Sequence, residues 1–244
     1  MDANSGNTVG GEMFRLVSYN IRAGLGMDGR RSIRRVAEVL APLSPDIVCL
    51  QEVDRGVPRS WLANQPKYLG MRLGMQAVFQ RNVIFSDDGG FGNCILLKSP
   101  VGGHCRCHRL PEGGEPRGLL EAKGTIDGQQ LSVFCTHLAL DHDVRVEQAK
   151  EIADILRSVP GPKVLCGDMN DVQGSRTLAA LLDSPALRDA ALEFGAGDIA
   201  TYPQGPEKRI DFILADLRLN VKSYQVLNSD ASDHLPIIVD LEFA

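Results

Sequence analysis

Aromatic residues are scarce: a single Trp and an aromatic share of 5% argue against a surface built to stack nucleobases. A basic excess is missing too. The formal net charge is −5, which does not suit a protein that coats nucleic acid non-specifically. Phosphate substrates stay open, because a bound divalent metal inverts the local field. No apolar run approaches the roughly 20 residues that span a bilayer, so no membrane span is expected. The opening MDANSGNTVGGEM lacks the basic and apolar regions of a secretory signal. Residues 1–12 read as a disordered leader, and a cytoplasmic location is the expectation. Six cysteines mostly sit inside apolar runs such as DIVCL, NCILL and KVLCGD. Without an export signal they read as reduced, buried thiols and not as a disulfide framework.

What is present is an ordinary apolar share of 43% over 244 residues, enough for one substantial core. Residues 13–244 read as a single domain. FRLVSYNI reads as a first strand, and the stretch from about Ser32 to Leu40 as an amphipathic helix stopped by Pro42 and Pro45. DIVCLQEV is a strand buried on both faces. Tyr68 to Phe79 holds a helix and a strand, FGNCILLKS is another strand, and a Gly-rich turn leads to GLLEAKGTI. Ile126-Asp127-Gly128-Gln129 marks a hairpin turn into QLSVFCTHL. Helices are expected near 144–157 and 176–182. KVLCGD, RIDFIL, LNVKSYQVL and PIIVDLEF complete an α/β sandwich.

Polar residues recur where these strands end: Asn20, Glu52, His137, Asp168, Asn170 and Asp211, with Asp233 and His234 preceding the last strand. Strand-end loops on a rigid sheet are favoured places for active sites. A set made of carboxylates, carboxamides and imidazoles suits a hard metal and a phosphate. Mg²⁺ takes a few carboxylate or carboxamide oxygens and keeps positions for water and substrate. Phosphoester hydrolysis also needs an oriented water and donors for the phosphoryl charge.

The ordered motifs SYNIR, LQE, FGN, PRGLL, THL, GDMND, RIDFIL and SDHLPI resemble the endonuclease/exonuclease/phosphatase superfamily, which includes DNase I, AP endonucleases, neutral sphingomyelinases and inositol polyphosphate 5-phosphatases. The resemblance runs from about residue 14 to 241. It implies a four-layer α/β/β/α sandwich, with two mixed, mostly antiparallel central sheets flanked by helices. It also implies Mg²⁺, for which Mn²⁺ can substitute, bound by Glu52 with Asn20 and Asp233. Asp168 then orients or deprotonates the attacking water, and Asn170 contacts the phosphoryl group. His234 binds phosphate with Asp211 as its partner, and His137 stabilises phosphoryl oxygens or assists the leaving group. Asp211 has a competing reading, a buried ion pair with Arg209.

Asn93, Arg117 and Arg145 are further candidates for substrate contact. Arg145, Glu147 and Gln148 otherwise read as helix surface. His104-Cys105-Arg106-Cys107-His108 looks like a soft-metal cluster, but strand alternation would split its ligands between two faces. Arg30, Arg31, Arg34 and Arg35 read as a solvated helix face or an electropositive rim. CTHLAL looks more like the sphingomyelinase, deadenylase and small-molecule branches than the AP endonucleases. A monomeric hydrolase of a small or lipid-derived phosphoester is therefore expected. A DNA or RNA nuclease is the alternative, and a non-catalytic phosphate-binding module the third reading.

Overall fold

A computed structural model describes residues 12–98, 101–183 and 187–244, with the backbone alone for residues 101–104. The expected leader lies almost entirely outside the described residues. The first half runs β1 (Phe14–Asn20), α1 (Ile33–Leu40), β2 (Ile47–Arg55), α2 (Gln65–Leu73), β3 (Gln76–Ile84), β4 (Gly90–Leu97), β5 (Val101–Arg109) and β6 (Gly118–Ile126). The second runs β7 (Gln129–His137), α3 (His142–Ser158), β8 (Lys163–Asp168), α4 (Arg176–Leu182), β9 (Leu187–Asp189), β10 (Asp211–Asp216), β11 (Leu219–Val226) and β12 (Ile237–Phe243).

Two six-stranded sheets form, ordered β11-β12-β1-β2-β4-β3 and β5-β6-β7-β8-β10-β9. At the centre of each lies a parallel pair, β1 with β2 and β7 with β8. The remaining pairings are antiparallel. Period-two alternation sends one row of side chains between the sheets, including Leu16, Cys49, Val133, Cys166 and Ile213. The opposite row of the first sheet, including Val17, Val48 and Leu50, meets Val36 and Leu40 of α1 and Leu69 of α2. Phe134, Leu165 and Phe212 of the second sheet meet Ile152 of α3 and Leu178 of α4. The layers are α/β/β/α, as the resemblance implies.

Local signals explain the elements. Ser32 caps α1 by accepting from the Arg35 N–H, and Ser175 caps α4 by accepting from the Leu178 N–H. Asp127 and Gly128 both take positive φ, 49° and 72°, the backbone of a tight type I′ hairpin turn. Two strands escape the sequence pattern. β5 is an edge strand with little apolar content where a Gly-rich turn was expected, and β9 has only three residues. Among the described residues no helix is long and apolar enough to cross a membrane.

Candidate active site

The inter-sheet rows carry the polar residues to one edge. Asn20 continues the phase of Leu16 and Ser18, and Asp168 that of Val164 and Cys166. His137 follows Val133 and Cys135, and Asp211 opens the row of Ile213 and Ala215. His137 and Asp211 are both register partners of Asp168 across the sheet. Because β1 lies parallel to β2 and β7 to β8, the candidate side chains gather at one edge: Asn20, His137 and Asp168 close their strands, whereas Glu52, expected at a strand end, lies inside β2, which runs on to Arg55.

Glu52 is out of phase and reaches the site differently. In β2, Ile47 and Cys49 face inward, so strict alternation would send Glu52 toward the helices. The β2–β4 register shifts between Leu50 and Val53, and Glu52 takes φ 56°. A bulge with one left-handed residue re-aims the carboxylate. Asn20 then spans two acids: its Nδ2 donates to Glu52 Oε1 at 3.2 Å and to Asp168 Oδ2 at 3.0 Å. Its Oδ1 accepts from the Arg22 N–H at 3.1 Å. Burial raises the Glu52 carboxyl above its ordinary range, opposed by the Asn20 hydrogen bond and the His234 charge.

Asp168 is the hub. Its Oδ2 lies 3.4 Å from His137 Nε2 and 3.6 Å from His234 Nε2, and its Oδ1 accepts the Asn170 N–H at 2.9 Å. Burial and then the charge of Asp211 push it up to about 7. Burial pulls His234 down, but Asp211, whose Oδ2 accepts from Nδ1 at 2.9 Å, and then Asp168 and Asp233 push it up to about 10. His137 is held well below its ordinary value by burial, then by the charges of Arg117 and His234. One imidazole is therefore cationic and the other neutral near neutral pH. Among the described residues, Asp168, Asp211 and His234 form a metal-capable group whose ligand atoms lie within 4.8 Å of one another. Asp211 Oδ2, however, already accepts from Thr201 Oγ1 at 2.6 Å as well as from His234.

Asp233 pairs with Arg22 at 3.2 Å. Asn170 also takes left-handed φ, 50°, and its Nδ2 donates to the Leu138 carbonyl at 2.9 Å. Arg117 is buried beside Glu115, and its charge acts on both Glu52 and His137. Asn93 is fully buried and ties β4 to the second sheet through the Gly118 carbonyl at 2.9 Å. Arg145 is buried, not a surface residue reaching into the pocket. Its guanidinium is occupied by Asp171 and the carbonyls of Ala139 and Leu140. Gln148 is likewise buried and braces Ala139 and Pro111, while Glu147 is exposed.

Arg209 pairs with Asp189, so Asp211 is free to serve His234. Thr201, which fixes Asp211, and Tyr202, whose ring packs tilted by 55° against His234 with centroids 4.8 Å apart, were not singled out by sequence. Their signal was only the TYP motif, in a loop without periodicity. Cys105 and Cys107 are exposed free thiols and His108 bonds Glu121, while the His104 side chain lies outside the described residues. The arginines of the 30–35 segment divide: Arg34 pairs with Glu38, Arg35 with Asp28, and Arg31 donates to the Arg22 and Ala23 carbonyls.

The Endonuclease/Exonuclease/phosphatase family model matches residues 17–234. The chain belongs to this family. Its members are phosphoric ester hydrolases and generally use a divalent metal. No curated protein matches the chain by sequence. Solved structures share the fold. An endonuclease/exonuclease/phosphatase from Beutenbergia cavernae is 24% identical, with TM-score 0.78 over 95% of this chain and 72% of that one. A mannosyl-6-phosphatase from Bacteroides thetaiotaomicron is 22% identical, with TM-score 0.75 over 94% and 100%. D. rerio TDP2 complexed with a single-strand DNA product is 22% identical, with TM-score 0.74 over 94% and 99%.

Proposed function

We propose that this family member is a metal-dependent phosphoesterase that hydrolyses a phosphodiester or phosphomonoester by in-line attack of a water held by Asp168. The observation that carries the reading is the convergence of Glu52, Asp168, Asp211 and Asp233 from both sheets on one edge of the sandwich, against a cationic His234 and a neutral His137. A hard divalent cation, Mg²⁺ or Mn²⁺, fits this edge. Glu52 is a largely buried carboxylate whose pKa burial raises, with Asn20 as its hydrogen-bond partner, an oxygen donor whose charged form a bound cation would stabilise. Glu52 and Asp233 would hold the ion, which when bound supplies Lewis acidity toward a phosphoryl oxygen. Asn20 directs its nitrogen at both carboxylates and so sets their spacing.

Asp168, poised at about 7, accepts a proton from water near neutrality. His234, kept cationic by Asp211, neutralises charge that grows on the phosphoryl oxygens. Asn170 keeps a second amide N–H for the phosphoryl group, because its amide has two. Neutral His137 can donate one N–H to a phosphoryl or leaving oxygen. Asn93 and Arg145 position their strands and loop.

A nuclease is the second reading: Arg22, Arg31 and Arg59 gather beside Glu52, with Asp233 and Asp54 pairing the first and the last. Steep loss of DNA or RNA binding with added salt would support it. The deciding test is hydrolysis of bis-p-nitrophenyl phosphate and p-nitrophenyl phosphate with and without Mg²⁺ or Mn²⁺. Asp168→Ala should lower metal-dependent turnover by roughly 10²-fold or more. Wild-type-like turnover in that variant would sink the assignment.

A further inference from the structure

Two of the six cysteines stand outside the core. Cys49, Cys94, Cys135 and Cys166 are buried, whereas Cys105 and Cys107 are exposed on β5, an edge strand of the second sheet. The strand register fixes where they point. Cys105 is opposed to Ala122 and Cys107 to Leu120 across the β5–β6 ladder, and both of those partners belong to the core between the sheets. Directly opposed residues share a face, so both thiols project on the inter-sheet side, at the open margin of the sandwich where solvent reaches them. Arg106 and His108 alternate to the other face, and His108 Nε2 is engaged with Glu121 Oε2 at 3.1 Å.

Spacing decides what such a pair can do. Same-face neighbours on a strand lie about 6.6–6.8 Å apart. A disulfide needs Cβ atoms about 3.8 Å apart and sulfurs at about 2.05 Å, which side chains rising side by side from one strand do not reach. A metal ion asks less: at a metal–sulfur bond of about 2.3 Å, two sulfurs about 4–4.6 Å apart share one ion. Rotation about χ1 between staggered rotamers brings the two sulfurs that close. Burial also raises both thiols above their ordinary value, with the charge of Glu121 adding to the effect at Cys105 and that of Cys105 at Cys107. Redox-sensing and nucleophilic cysteines need the opposite shift, whereas an ion with strong affinity for sulfur displaces the protons itself.

The ligand count selects the ion. Among the described residues, no third His, Cys, Asp or Glu joins the two thiols in a metal-capable group. Structural zinc takes four protein ligands, so two thiols alone do not suit it. Soft thiolates favour Cu(I), a closed-shell ion that two of them satisfy. We propose that Cys105 and Cys107 form a two-thiolate site for Cu(I) at the free edge of β5, two strands removed from the β7 that carries His137. Binding replaces two S–H bonds by two Cu–S bonds and releases both protons to solvent, with copper at +1 throughout. The site is independent of the phosphoesterase reading.

The test uses the reduced full chain without oxygen. A thiol-specific disulfide reagent should count two reactive cysteines in the folded protein and all six after denaturation. In competition with bicinchoninate, whose Cu(I) complex is coloured, wild type should withdraw one Cu(I) per chain. Cys105→Ser and Cys107→Ser should each weaken binding by more than about 100-fold, beyond the 10–100-fold that follows loss of an outer-shell partner, with the melting temperature unchanged. Cys→Ala at either position serves if a serine variant does not fold. Bicinchoninate that keeps its copper would overturn the proposal, as would undiminished uptake when both cysteines are replaced. One ion per two chains, with dimers on gel filtration, would also overturn it, by making copper a bridge between copies.

Discussion

Replacing Asp211 by Asn isolates one charge with almost no change of shape. The carboxamide oxygen can still accept from His234 Nδ1, so the tautomer and ring orientation survive while the negative charge goes. At 2.9 Å and an effective dielectric of about 20, that charge is worth roughly 6 kcal/mol to a protonated imidazole. Burial opposes it. The net preference for the protonated ring, from about 10 against an ordinary 6.5, is roughly 5 kcal/mol at 1.36 kcal/mol per pH unit. Without Asp211, burial dominates and only Asp168 and Asp233 hold the proton, so His234 should titrate below about 7. Histidine NMR titration of wild type and variant reads this directly. The linkage has a fixed sign. A folded value above the unfolded one gives stability that is complete below about 6.5 and lost as pH rises through about 10. The melting-temperature gap between wild type and Asp211→Asn should therefore be widest in mild acid and close toward about pH 10. Turnover near neutral pH should fall by roughly 10²-fold, as for loss of a preorganised charge. A His234 that titrates near 6.5 in wild type, or still near 10 in the variant, would refute the reasoning.

Mn²⁺ titration calorimetry should show Asn20→Ala weakening binding by about 10–100-fold, the effect of losing an outer-shell partner, with Glu52→Gln at least as severe. Equal affinity in Glu52→Gln would remove it from the ion. Arg209→Ala leaves the buried Asp189 carboxylate unpaired and loses the stacking on Phe212 at 4.2 Å. Urea unfolding should report a loss of roughly 3–5 kcal/mol, and less than about 1 would contradict it. A Cβ at Gly167 would sit 2.0 Å from the Thr136 carbonyl oxygen. Gly167→Ala should therefore pry β7 from β8 beside the His137–Asp168 pair, cutting both stability and rate. A variant as stable and active as wild type would show that the strands yield freely.

Strand-end placement was the legible part. Asn20, His137, Asp168 and Asp211 were readable because each extends an apolar alternation that fixes which way it points. Helices from about Ser32 to Leu40 and near 176–182 were readable from similar local patterns, and the structure adds Ser32 and Ser175 as their caps. β5 was not, since an edge strand needs little apolar content and its Gly102-Gly103 looks like a turn. Whether Asp211 serves Arg209 or His234 was undecidable from RID alone. Asp189, the true partner of Arg209, lies on a three-residue strand too short to register. Gln148 reads as surface because glutamine usually is; only the fold shows the Pro111 carbonyl and Ala139 N–H that need it. Thr201 escaped notice because it sits in a loop without periodicity, where nothing in the spacing shows that its hydroxyl folds back onto Asp211.

The left-handed backbone at Glu52 sets what selection for robustness would do to this protein. Glycine holds that φ without penalty and asparagine nearly so, whereas a glutamate there costs on the order of 1–3 kcal/mol. Asn170 already meets the same demand with a tolerant residue. A library screened for heat resistance alone should thus enrich Gly or Asn at position 52, yielding hardier proteins that have lost the carboxylate proposed to hold the metal, while position 170 should stay as it is. Any engineering of this scaffold toward durability must hold residue 52 fixed and seek its gains elsewhere.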